Sequence, residues 1–168
     1  MIKVLLIHED TLLRLSIRQI LESSESIQIV GGTGKGVEGI ECVRQFQPNV
    51  VVFSLKLPDI AGKTLATRLL NLPQAPSLLV ISLEIRQVMS SPVLGMGALG
   101  YLTSQTSPAE LISAIKKVYA GEAVIGEDII HHLKVADTHS SKLDARHLLT
   151  DRENVKNDVQ LTWWAIRE

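Results

Sequence analysis

The chain has 168 residues, 45% apolar and 21% charged, with 17 Lys+Arg against 18 Asp+Glu; this is enough for one full domain with a small appendage, and it excludes a disordered or collagen-like chain. A formal net charge of −1 provides no global basic field, so any DNA binding has to be local. The single Cys42 excludes an internal disulfide, no Cys/His spacing suggests zinc, and the apolar start is far shorter than a signal sequence or a membrane span, so a reducing, cytoplasmic setting is expected.

Short β-rich apolar runs recur at residues 3–7, 27–30, 49–53, 77–81 and 100–102, separated by segments of helical period. After the first run, Leu13, Ile17, Ile20 and Leu21 mark one buried helix face, and Leu111, Ile115 and Val118 do the same near the end. Ser107 before Pro108 predicts a cap and a proline in the first turn of that last helix. NVVVF and SLLVI are continuous rather than alternating, as befits strands covered on both faces, so the expected class is a doubly wound α/β fold with a parallel sheet. In such sheets functional groups gather beyond the carboxyl ends of the strands. Here those ends carry His8, Glu9 and Asp10, then Ser54, Ser82, and Thr103 with Ser104.

Beyond Gly121 the periodicity weakens. A short helix is expected around 127–133 and a polar linker over 136–145, with residues 1–122 as the domain, 123–147 as helix and linker, and 148–168 as a separate terminal segment. The last 28 residues balance five basic against five acidic side chains and show no basic stripe.

Three stretches together resemble a known family. MIKVLLIHEDTLLRLSIRQILE resembles the first strand and helix of bacterial two-component response regulators of the GacA/UvrY type, in the NarL/LuxR class. LPDIAGKTLATRLL resembles their third loop and helix, and GALGYLTSQTSPAELISAIKKVYAGEAVI their fifth strand and helix. The resemblance implies a CheY/flavodoxin-like receiver with a five-stranded sheet in the order 2-1-3-4-5. It also implies an acidic pair that holds Mg²⁺, an acceptor aspartate ending the third strand, a hydroxyl after the fourth and a lysine after the fifth. In this chain those positions hold His8 and Glu9, Ser54, Ser82 and Ser104; Tyr101 keeps the family's aromatic switch position. One carboxylate beside an imidazole is a poor Mg²⁺ site, so no cofactor is expected. Losing the acceptor and the lysine together spares either one from being left buried without its partner.

LTDRE at 149–153 resembles the opening of a LuxR-type helix-turn-helix, and the segment 154–167 resembles its closing helix. The two are fused directly, without the recognition helix that would enter the major groove, so DNA binding is doubtful. Trp163 and Trp164 then serve as a partner anchor, fold back onto the domain or mark a disordered relic. The resemblance implies a degenerate regulator acting through a homologous response regulator or histidine kinase, as a homo- or heterodimer. Its contact surface would be the first helix or a face containing Tyr101. Phosphorylation-independent DNA binding and a non-functional relic are the alternatives.

Other readings of single motifs are weaker. His8 beside Ser54 invites a base and nucleophile, but no GxSxG elbow surrounds Ser54. Gly34, Gly36 and Gly39 fit GxGxxG, yet they follow the second strand rather than the first. His131 and His132 are adjacent on a helix and are expected in solvent rather than on a metal.

Overall fold

The computed structural model describes residues 1–89 and 95–139. In chain order the elements are β1 (Ile2–Ile7), α1 (Thr11–Glu22), β2 (Ile27–Thr33), α2 (Gly36–Phe46), β3 (Val50–Phe53), α3 (Gly62–Leu70), β4 (Ser77–Ser82), a short α4 (Ile85–Val88), β5 (Gly100–Thr103), α5 (Pro108–Tyr119), β6 (Val124–Ile125) and α6 (Glu127–His139). The described strands form one parallel sheet in the order β2-β1-β3-β4-β5-β6.

The doubly wound class follows from how β3 is used. All four of its residues are buried, but they serve two cores: Val51 and Phe53 join the apolar faces of α2 and α3, whereas Val50 and Val52 join those of α1 and α5. Each such side chain stabilises the fold by roughly 1.5–3 kcal/mol relative to exposure, an upper figure that ignores residual burial in the unfolded chain. On α1 the stripe buries Ile17 and Leu21 fully, and on α5 it buries Leu111, Ile115 and Val118. The expected cap is present: Ser107 Oγ accepts the Glu110 N–H at 3.2 Å, with Pro108 opening the helix.

The sheet has one strand more than the five-stranded order expected from the sequence. β6 adds a sixth at the edge, pairing Val124 with Gly100 and Ile125 with Tyr101. Two residues are too few to show a period, and so the strand was hidden. Packing continues past residue 122 as well: Ile129 on α6 is fully buried and shares a core cluster with Tyr101 and Ile125. The helix expected at 127–133 runs on to His139, into the first part of the polar stretch read as a linker. Residues 140–168, with Trp163, Trp164 and the helix-turn-helix-like segment, lie outside the described residues.

Candidate functional site

Five strand ends converge at one edge of the sheet, and each one ends in the same way. A backbone N–H two residues beyond the strand end would lose its ladder partner, and an unpaired buried donor is costly. Here the side chain of the strand's last residue, or of the one just after it, accepts it. His8 Nδ1 takes the Asp10 N–H at 3.1 Å, Thr33 Oγ1 that of Lys35 at 3.2 Å, and Ser54 Oγ that of Lys56 at 3.2 Å. Ser82 Oγ takes the Glu84 N–H and Thr103 Oγ1 that of Gln105, each at 3.2 Å. These are local side-chain turns of the kind Ser, Thr and Asx residues form. Every one of the five is buried, His8 to 2% exposure, Ser54 to 4% and Ser82 to 2%.

The bond to His8 fixes its chemistry. An Nδ1 that accepts carries no hydrogen, so the ring is neutral with its proton on Nε2. Burial lowers its pKa below 6.5, outweighing the opposite pull of the Glu9 and Asp10 charges. Glu9 Oε2, 3.4 Å from Nδ1, is therefore a polar neighbour rather than half of an ion pair. Neither His8 Nε2 nor Glu9 Oε2 has a hydrogen-bond partner among the described residues. Arg14 donates to the His8 carbonyl and fastens α1 to the loop. Because the folded pKa is depressed, the unfolded chain binds a proton first as the pH falls. The contribution is complete above the unfolded value of 6.5 and is lost as the pH drops through the lower folded one. Denaturant titrations between about pH 7.5 and 5 should show stability declining on the acid side, and His8→Gln should flatten that decline.

Ser54 has no base. Its hydroxyl lies 3.4 Å from the Lys56 carbonyl oxygen, and no hydrogen bond joins it to His8, although Ile7 and Phe53 pair directly and place the two residues side by side. A hydroxyl becomes a nucleophile only with a base in contact, so the arrangement does not form a hydrolase dyad. Ser82 Oγ contacts Glu84 O at 3.0 Å and Gln87 Oε1 at 3.2 Å. The residues held by Ser54 and Ser82 also meet each other: Lys56 Nζ sits 3.0 Å from Glu84 Oε1, and that contact is the main cause of the lowered Glu84 pKa. Ser104 is half-buried and continues the ladder, its N–H donating to Ser82 O at 3.0 Å.

The glycines after β2 serve packing. A Cβ on Gly39 would lie 2.4 Å from Ile7 Cδ1, and one on Gly36 would lie 2.1 Å from Ile60 Cγ2. The N-terminus of α2, where a dinucleotide phosphate would sit, is taken by the chain itself: Asp59 Oδ1 and Oδ2 accept the Gly36 and Val37 N–H groups at 2.8 and 2.9 Å. Those bonds lower the Asp59 pKa. His131 and His132 are both exposed. Among the described residues no three His, Cys, Asp or Glu side chains gather as a metal group, and no helix is long and apolar enough to cross a membrane.

Comparison with known proteins matches residues 4–116 to the response regulator receiver domain. The chain belongs to the response regulator receiver family. Response regulator UvrY of Escherichia coli K12 is 28% identical over 154 residues, covering 91% of this chain and 71% of UvrY. Response regulator GacA of Pseudomonas syringae pv. syringae is 30% identical over 159 residues, covering 91% and 72%. Among solved structures, a LuxR-family two-component response regulator from Aurantimonas superposes with a TM-score of 0.72 at 22% identity, over 81% of this chain and 97% of that one. That last likeness speaks for the fold alone.

Within this receiver, Tyr101 departs from the sequence reading. It was expected on an interaction face, but its side chain is 0% exposed and packs in the core cluster with Val80, Val88, Ile125 and Ile129. Burial pushes its pKa well above 10, against a weaker backbone hydrogen bond from Ala98. Asp59 was missed because its helix lies over twenty residues earlier in the chain. Asp128, which accepts the Thr103 hydroxyl, was missed because it lies beyond the expected domain boundary.

Proposed function

We propose that this receiver no longer runs an aspartyl-phosphate switch and regulates by protein contact, with an intact response regulator or a histidine kinase as its partner. The observation that carries this reading is the self-satisfied strand edge. Ser54 stands at the acceptor position, and its hydroxyl is bound into its own loop. The Mg²⁺ that the family implies has no fitting donor set. A hard cation takes oxygen ligands; the His8 nitrogen left free carries hydrogen, Asp10 Oδ1 caps α1 through the Leu13 N–H at 2.9 Å, and Glu9 is left as the single carboxylate. Without acceptor, cation or lysine, the remaining means of signalling is occupancy of a partner's surface.

On α1, Leu12 is 76% exposed and Leu15 56%; together with the polar Ser16 and Gln19 they leave an uncharged face open, which supports α1 as the contact element. In this proposal the segment 148–168 is the remnant of a LuxR-type domain without its recognition helix, Trp163 and Trp164 add to the partner contact, and the protein acts in the cytoplasm as a homo- or heterodimer.

The test is affinity capture of the tagged full chain at native expression level. A response regulator or histidine kinase should come with it and be lost in a Leu12→Ser/Leu15→Ser variant. Recovery of neither class sinks the reading and leaves the relic. One observation favours a second reading: the alignment to UvrY covers 91% of the chain and so reaches past the matched receiver at 4–116. That extension keeps phosphorylation-independent DNA binding in play. Retardation of DNA at about 50 mM salt, where even nonspecific binding is strong, supports it, and its absence removes it.

A further inference from the structure

We infer that Thr103 and Asp128 couple α6 to the strand-end site, so that the direction in which the chain leaves the domain is set by the end of β5. Thr103, the last residue of β5, donates its hydroxyl hydrogen to Asp128 Oδ2 in the first turn of α6. The same hydroxyl oxygen holds the strand-end turn by accepting the Gln105 N–H at 3.2 Å. One side chain thus serves both the site and the helix.

The first turn of α6 has further anchors on separate elements. The Gly126 N–H donates to Tyr101 O at 2.9 Å, which carries the β5–β6 pairing up to the start of the helix. Glu110 Oε1, in the first turn of α5, accepts the Glu127 N–H at 3.4 Å. Ile129 is fully buried in the cluster that holds Tyr101. Gly126 makes room for the arrangement, since a Cβ there would lie 2.8 Å from Asp128 Oδ1. Asp128 Oδ1 in turn accepts the Ile129 N–H at 2.9 Å, so both carboxylate oxygens are engaged.

A helix held this way at one end acts as a lever. At about 1.5 Å per residue, 13 residues span roughly 20 Å. A tilt of about 15° in the first turn therefore moves the far end by about 5 Å. A partner gripping the loop after β5, beside Ser104, biases α6, and a partner holding α6 biases that loop to the same extent. The coupling stands on this geometry and is independent of whether the protein-contact reading holds.

The experiment uses the full chain and compares Thr103→Val, Asp128→Ala, the double variant and Asp128→Asn by amide hydrogen exchange. It adds tyrosine nitration with tetranitromethane, because the chain has only two tyrosines. Each single change should raise exchange in α6 and β5 about tenfold or more, since a hydrogen bond to a charged group is lost, while β1 and β3 stay protected. The double variant should lose less protection than the two singles summed, because the shared bond is removed only once. Asp128→Asn, whose amide oxygen still accepts, should keep most of the protection. Tyr101 should resist nitration in the parent, where the exposed Tyr119 reacts, and should react in Thr103→Val. Unchanged α6 exchange in either single variant, additive losses in the double, or equal loss of protection through β1 and β3 would overturn the coupling.

Discussion

Ser54→Asp, the one change that writes the family's acceptor back into β3, is expected to destabilise the fold by about 3–4 kcal/mol near pH 7 and still to leave it without a phosphoryl group. The new carboxyl would stand 4% exposed beside the neutral imidazole of His8 on the neighbouring strand. The one ammonium close by in the chain, Lys56, is already paired with Glu84 in the loops. Burial raises a carboxyl pKa. The penalty is bounded, because the group can stay protonated, and holding an aspartate protonated at pH 7 against an ordinary value near 3.9 costs about 4 kcal/mol. The sign of the pH dependence follows. With the folded pKa raised, the loss is full above that value and disappears as the pH falls toward the unfolded one. Denaturant midpoints for parent and variant should differ most near neutrality and converge near pH 4.

Adding Ser104→Lys should recover part of that loss, because a buried carboxylate next to an ammonium is better placed than either alone. Transfer from a small acyl phosphate with Mg²⁺ should remain undetectable until His8→Asp restores the acidic pair with Glu9. Labelling of Ser54→Asp alone would show that the strand edge still holds the cation, and would remove the central support for a receiver without a phosphoryl switch.

Most of the fold was legible because it rests on patterns of short range. Val50 to Phe53 read as a strand buried on both faces, and Ser107 with Pro108 read as a helix start, since each depends on adjacent residues. Of the five strand-end side chains, His8, Ser54, Ser82 and Thr103 stand out in the sequence as strand ends, whereas Thr33 at the end of β2 does not. What the residues at those positions do was not legible. Whether Ser54 Oγ faces a substrate or its own Lys56 N–H depends on the loop's backbone path, which composition does not encode, and the His8 tautomer depends on that same local turn. Asp59 on the N-terminus of α2 joins residues 23 apart and has no local signature. β6 and the Thr103–Asp128 bond fell beyond the point where the apolar period weakens. The orientation of Tyr101 was hidden for a related reason. All four β5 residues are buried, so alternation assigns none of them to a surface.

That burial gives the second large effect: Tyr101→Ala is expected to remove about 3–5 kcal/mol of stability, the range for deleting a fully buried aromatic ring. The ring lies between Val80 on β4 and Ile125 on β6, its register partners on either side, and shares their cluster with Ile129 of α6. The cavity would therefore open where the appended strand and helix meet the sheet, and their protection should be lost before that of β1 and β3. Tyr101→Phe keeps the ring and gives up the hydroxyl, with its bond to Ala98, so a loss of about 1 kcal/mol is expected. Thermal or denaturant unfolding of the two variants separates packing from polarity directly. A loss under about 1 kcal/mol for the alanine would mean that the ring is not packed as described. The difference also decides how partner binding must be tested. A variant that loses most of the stability of a domain of ordinary margin abolishes capture by unfolding, whichever surface the partner uses. Leu12 and Leu15 are exposed, and their replacement by serine should change stability by no more than about 0.5 kcal/mol each. Loss of a partner in that variant therefore reports the contact on α1, whereas loss in Tyr101→Ala reports only the core.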